Sequence, residues 1–122
     1  MNNYEVGKAL GLYGKIVIVA GGGGAHLGIG RATAILFGKL GANVAVLDIK
    51  KEAAEETARL INTFAETSAS VWQLDVTNEE QINRVLKEIT QKYSRIDVWA
   101  HLAGGHIGST WIERYSPGGM EG

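Results

Sequence analysis

The sequence predicts an α/β fold whose four strands form one parallel sheet in the order 3-2-1-4. Three observations predict it. Short β-branched runs alternate with longer amphipathic stretches along the chain. Six of the 17 glycines fall within "GGGGAHLGIG" (21–30), between the first such run and the first amphipathic stretch. An aspartate, Asp48, closes the second run, 18 residues after Gly30. Strands separated by helices of a dozen or more residues pair in parallel through right-handed crossovers, which gives a doubly wound, three-layer arrangement.

Each element has its own signal. "KIVIVA" (15–20) is β-branched with no helical period, hence a buried strand. "IGRATAILFGKL" (29–40) reads as a helix with Ile29, Ala32, Leu36 and Leu40 on its inner face, stopped by Gly41. "NVAVLD" (43–48) is the second strand. The helix after it (50–66) sets Ala54, Ala58, Ile61 and Ala65 on one side. "SVWQLD" (70–75) is the third strand. A capping box, Thr77 with Glu80, opens a helix over 77–93 whose apolar face is Ile82, Val85, Leu86 and Ile89. "DVWAHLA" (97–103) is the fourth strand, and 106–122 is an irregular, glycine-rich tail. No repeat and no linker divides residues 1–122, so the expectation is a single domain.

Composition narrows the function classes. A net charge of −1 gives no electrostatic reason to expect nucleic acid or an anionic membrane as partner. The absence of cysteine excludes disulfides and thiolate metal sites. No apolar run reaches the length of a membrane span, and the first residues do not read as a signal peptide, so a cytoplasmic location is expected. His26, His101 and His106 have no acidic or thiolate residue at ligand spacing, so no metal site is expected.

The glycine cluster lies where a doubly wound sheet binds nucleotides. Glycine lets the backbone approach a pyrophosphate, and a helix N-terminus offers free N–H groups and partial positive charge. Asp48 is at the spacing expected of a carboxylate accepting from a ribose diol. Together these predict a Rossmann-like, dinucleotide-binding domain. A 2′-phosphate would meet Asp48 as a like charge, so NAD is expected over NADP. A methyltransferase-like adenosine site stays open, although Val17, Ile18, Val19 and Ala20 leave no acid before the loop. A purine triphosphatase is disfavoured because no Gly-Lys-Ser/Thr ends the loop.

Several motifs in order resemble the short-chain dehydrogenase/reductase family. Gly24-x-x-x-Gly28-Ile29-Gly30-Arg31-Ala32 looks like its glycine motif, "LDVTNEE" (74–80) its third-strand end, and "DVWAHLAGG" (97–105) its Asn-Asn-Ala-Gly segment. The resemblance covers roughly residues 14–105. It implies a cofactor site of Gly21, Gly24, Leu27, Gly28, Ile29, Gly30, Asp48, Asp75, Val76, Ala103 and Gly104, with Asp75 and Val76 facing the adenine. It further implies NAD-dependent hydride transfer between an alcohol and a ketone.

Three departures bear on this. Counted back from the helix, Gly24 is the first motif glycine and Gly23 replaces the family's Thr; counted forward from the strand, the register that avoids extending a strand through glycines, Ala20 replaces the Thr and Gly21 is the first motif glycine, which makes the loop three residues longer and suggests a wider phosphate loop with His26 near its tip. His101-Leu102 replaces Asn-Asn, with His101 expected in the core. The family's later Ser and Tyr-x-x-x-Lys have no counterpart. Tyr4-x-x-x-Lys8 precedes the first strand and reads as coincidence, and Tyr115 has Gly119 four residues on. The expectation is a nucleotide-binding half truncated after the fourth strand, with no catalytic residues of its own. Its alternative is a noncatalytic module that needs a partner. The uncovered sheet face and the fourth-strand edge predict self-association, or a missing C-terminal half that would cover them.

Overall fold

The computed structural model describes residues 1–24, 28–64 and 68–102. Its elements are α1 (Asn3–Ala9), β1 (Ile16–Ala20), α2 (Ile29–Lys39), β2 (Asn43–Asp48), α3 (Lys51–Asn62), β3 (Ala69–Gln73), α4 (Glu79–Tyr93) and β4 (Val98–His101). The sheet order is β3-β2-β1-β4, and every pairing is parallel. This is the predicted Rossmann-like topology.

Alternation of side chains across each strand builds two cores. Val17, Val19, Val44 and Val46 face α2 and α3, packing with Ala34, Ala54, Ala58 and Ile61. Ile18, Ala20, Ala45 and Leu47 face the other way, packing with Leu74 and with Val85 and Ile89 of α4. Strands buried on both faces explain why "KIVIVA" and "NVAVL" are uninterrupted apolar runs. β4 follows the same alternation: Val98 and Ala100 pack on the α2/α3 side, while Trp99 and His101 are exposed. The expected core placement of His101 is therefore corrected. Its ring lies against Trp99 on the open side of an edge strand, with Trp99 Nε1 donating to His101 Nδ1 at 3.3 Å.

The inner face of α2 also differs from expectation. Gly30, Ala34 and Gly38 are buried, whereas Ile29 and Leu36 are 54% and 56% exposed and Ala32 is exposed too; of the expected face only Leu40 is buried. The reason is close approach. A Cβ on Gly30 would fall on the carbonyl of Gly21, and one on Gly38 would sit 2.8 Å from Ile61 Cγ2 of α3. The helix turns its smallest residues inward because the Gly21 backbone and the Ile61 side chain leave no room for larger ones. On α3 the buried residues are Ala54, Thr57, Ala58 and Ile61, as its period implied apart from the threonine; Ala65 lies outside the described residues.

Two helix starts were misread. α4 is capped by Asn78, whose side chain accepts from Gln81 N at 3.1 Å, while Thr77 donates instead to Asp75. α1 was not expected at all. It opens with a capping box, in which Asn2 accepts from Glu5 N and Glu5 accepts from Asn2 N. Gly7 lets α1 sit directly on the Leu40 carbonyl, at the amino end of the sheet.

Candidate functional site at the carboxyl edge of the sheet

Parallel pairing gathers the carboxyl ends of all strands on one edge, and the chain turns sharply there after β1. Gly21 N and Gly22 N both donate to Leu47 O, at 2.8 and 3.1 Å, which extends the β1–β2 pairing past Ala20. Gly23 N then donates to Asp48 Oδ2 at 2.9 Å. Gly21 and Gly24 have φ of 86° and 84°, the left-handed region in which glycine carries no Cβ penalty. The first part of the glycine stretch is thus docked on β2. The tip of the expected wider phosphate loop, with His26, falls on residues 25–27, which lie outside the described residues.

α2 begins at Gly28, whose φ is 71° and which gives the helix no side-chain cap. Among the described residues no acceptor serves the N–H groups of Ile29, Gly30 and Arg31. These amides and the aligned peptide dipoles concentrate positive potential at the helix start.

Asp48 is only 7% exposed. Its Oδ2 accepts from Gly23 N and its Oδ1 accepts from Lys50 N, both at 2.9 Å. Each oxygen keeps a second lone-pair site. At the end of β3, Asp75 Oδ1 accepts from Thr77 N at 2.9 Å and from Thr77 Oγ1 at 2.6 Å. The Thr77 hydroxyl, and then its N–H, hold the Asp75 carboxyl below the ordinary carboxylate range. Val76 is half-buried against the α4-side core. At β4, Leu102 N donates to Ala20 O at 2.8 Å.

Of the residues singled out from sequence, Gly21, Gly24, Gly28, Ile29, Gly30 and Asp48 therefore cluster at the ends of β1 and β2 and the start of α2. Asp75 and Val76 follow the neighbouring β3. Leu27, Ala103 and Gly104 lie outside the described residues, as do His26 and His106. Among the described residues no group of three or more His, Asp or Glu side chains is placed to hold a metal ion. Tyr4 and Lys8 belong to α1 at the opposite edge.

Sequence reasoning missed a buried link behind the loop. Thr57 of α3 is fully buried and donates from Oγ1 to Gly22 O at 2.7 Å. Arg31 Nε donates to Thr57 Oγ1 at 3.0 Å, and Arg31 Nη2 donates to Gly23 O at 2.9 Å. The available signal was the helical spacing of Thr57 with Ala54, Ala58 and Ile61, which sets a hydroxyl among inward-facing apolar positions.

The sheet order and a glycine turn leading into a helix at its carboxyl edge define the class, a Rossmann-like nucleotide-binding α/β domain. Residues 15–117 match the short chain dehydrogenase family model, and the chain belongs to that family. It is 38% identical over 97 residues to short-chain dehydrogenase reductase 3c of Arabidopsis thaliana, covering 80% of this chain and 35% of that protein. It is 37% identical over 97 residues to an NAD-dependent glycerol dehydrogenase of Listeria innocua, again covering 80% and 35%. Among solved structures, hydroxysteroid dehydrogenase from Escherichia coli superposes with a TM-score of 0.68 at 30% identity, covering 74% of this chain and 37% of that one. The chain spans about a third of the length of the curated relatives it matches. Proteins of this family are oxidoreductases that bind nicotinamide dinucleotide cofactors. No helix among the described residues is long and apolar enough to cross a membrane.

Proposed function

We propose that the chain forms the NAD-binding part of an oxidoreductase that passes hydride between an alcohol and a ketone. The observation that carries this reading is a helix start whose N–H groups find no acceptor among the described residues, beside a strand-end carboxylate, on one sheet edge, in a chain of this family. The pyrophosphate fits the first turn of α2, where Ile29, Gly30 and Arg31 offer N–H groups and Gly28 and Gly30 present no side chain. The ribose diol fits the second lone-pair sites of Asp48, and Asp75 with Val76 fits the adenine side. Leu27, Ala103 and Gly104 complete the set as the family resemblance implies. When bound, the nicotinamide supplies the hydride chemistry, and the protein supplies position and electrostatics.

NAD is favoured over NADP because a 2′-phosphate would face the Asp48 carboxylate. At about 4 Å and an effective dielectric near 20 the repulsion is about 4 kcal/mol, which solvent and salt reduce to about 1–2 kcal/mol. The name of the Listeria relative, NAD-dependent, supports this choice. Calorimetric titration tests it. NAD is expected to bind about tenfold tighter than NADP, and equal or tighter binding of NADP would overturn the preference.

The chain alone is expected to give no dehydrogenase turnover, because no proton donor stands at the carboxyl edge among the residues proposed to hold the cofactor. An absent acid–base group typically costs about 10²–10⁴ in rate. Cofactor reduction above the blank with a panel of alcohols, abolished by Tyr4→Phe, would contradict this. We further propose that the chain self-associates through the β4 edge, where Trp99 is 38% exposed. Sedimentation is expected to show dimers or larger species, and a monodisperse monomer at tens of micromolar would refute it.

A further inference from the structure

We propose that Thr57 is a positioning residue for cofactor choice: its buried hydroxyl holds the half-buried Arg31 guanidinium behind the glycine turn, and so keeps a positive charge from serving a 2′-phosphate. The inference rests on the NAD reading of Asp48 and adds a second residue that enforces it.

The hydroxyl of Thr57 works in both directions. It donates to Gly22 O at 2.7 Å and accepts from Arg31 Nε at 3.0 Å. With its Nε so fixed, the planar guanidinium lays Nη2 against Gly23 O at 2.9 Å and Ala53 O at 3.3 Å. The Gly22 carbonyl is thereby tied to α3 and the Gly23 carbonyl to Arg31 of α2, and the Gly23 N–H is presented to Asp48 Oδ2 at 2.9 Å. One buried threonine thus couples three features: the path of the turn, the direction of the Asp48 carboxylate, and the location of the Arg31 cation. The side chain of Gly24, had it one, would meet Arg31 Cβ at 2.7 Å, so the turn is built around this arginine. Arg31 stems from the first turn of α2, next to the proposed pyrophosphate seat. Released from Thr57, it has the reach and the fork of donors to bind a phosphate.

The experiment compares the chain with Thr57→Val, which removes the hydroxyl at constant shape, and Thr57→Ser, which restores it. The first readout is amide and guanidinium exchange by NMR. In the parent chain and Thr57→Ser, the Gly23 N–H and Arg31 Nε–H are expected to exchange slowly. In Thr57→Val both are expected to exchange fast, with Val17 and Val46 amides in β1 and β2 still protected. The second readout is the ratio of NAD to NADP affinity. It is expected to fall by about tenfold in Thr57→Val, the scale of one charge-assisted hydrogen bond, and to recover in Thr57→Ser. An unchanged ratio with Gly23 deprotected would overturn the proposal, as would Gly23 and Arg31 that stay protected in Thr57→Val. If exchange responds as expected but the parent chain binds neither dinucleotide, the NAD reading falls, and the cofactor role of Thr57 with it.

Discussion

Gly22 and Gly23 turn their carbonyls onto Thr57 and Arg31 and their N–H groups onto Leu47 and Asp48. Ile29 and Gly30, a few residues on, have N–H groups with no acceptor among the described residues. The two parts of one glycine-rich stretch therefore differ in kind. In the first, glycine is required by crowding: a Cβ on Gly22 would lie 2.8 Å from Val46 Cγ1, and one on Gly23 would lie 2.5 Å from Asp48 Oδ2. In the second, Gly28 supplies the left-handed turn into α2, and Gly30 allows the helix to touch the turn. Glycine content alone does not mark a phosphate loop. What distinguishes the parts is where their backbone hydrogen bonds go.

The contact between the two parts gives the largest expected effect. Gly30→Ala drives a Cβ into the Gly21 carbonyl, with backbone on both sides and no flexible atom to yield. Destabilisation of about 3 kcal/mol or more is expected in urea melts, the upper range for overpacking. A loss under 1 kcal/mol would mean that α2 can slide away from the turn at little cost.

Asp48→Ala attacks the docked part alone. It strips the acceptors from Gly23 N and Lys50 N, and a buried amide left without a partner costs about 1–3 kcal/mol. A destabilisation of about 2 kcal/mol is expected, together with loss of the preference for NAD. Stability unchanged in Asp48→Ala would show that the turn does not depend on β2.

Gly28→Ala probes the open part. Among the described residues only Gly24 O, at 4.0 Å, comes near its would-be Cβ, so the cost is conformational, about 1 kcal/mol for an alanine at positive φ. The added methyl enters the proposed pyrophosphate seat, so NAD affinity is expected to fall more than stability does. Equal affinity would place the phosphates elsewhere.

The smallest effect is a control on the other edge of the sheet. Asp97 Oδ2 accepts from Ile16 N at 2.8 Å, and Arg95 Nε donates to it at 2.9 Å. The Ile16 N–H first, and then Arg95, hold its carboxyl below the ordinary range. A depressed carboxylate contributes stability that is full above the unfolded value and is lost as pH falls, here below about pH 4. Asp97→Asn is expected to flatten the acid limb of a Tm-against-pH curve and leave dinucleotide affinity unchanged. An unaltered acid limb would show that Asp97 adds nothing measurable.

Strand positions and sheet order were legible because β-branched runs and helical periods report burial directly. The inner face of α2 was not, because hydrophobicity rewards Ile29 and Leu36, whereas close approach selected Gly30, Ala34 and Gly38. α1 was hidden by its shortness, although Asn2 and Glu5 carry a capping pattern. At the site, spacing located Asp48 and both groups of glycines. It could not show that the carbonyls of Gly22 and Gly23 are held by Thr57 of α3 and Arg31 of α2, since that depends on Thr57, 35 residues away from Gly22. His101 lies elsewhere than expected for a related reason: period-2 alternation sends it to the side of β4 away from Val98 and Ala100, where this edge strand leaves it exposed.

The division of the glycine stretch is tested most directly by an NMR titration of the chain with NAD, following the amides of residues 21–24 and 28–31. The account predicts that Ile29, Gly30 and Arg31 shift most on addition of NAD, while Gly21, Gly22 and Gly23 stay slow to exchange with and without it. Large shifts and loss of protection at Gly22 and Gly23, with the first turn of α2 unmoved, would contradict it.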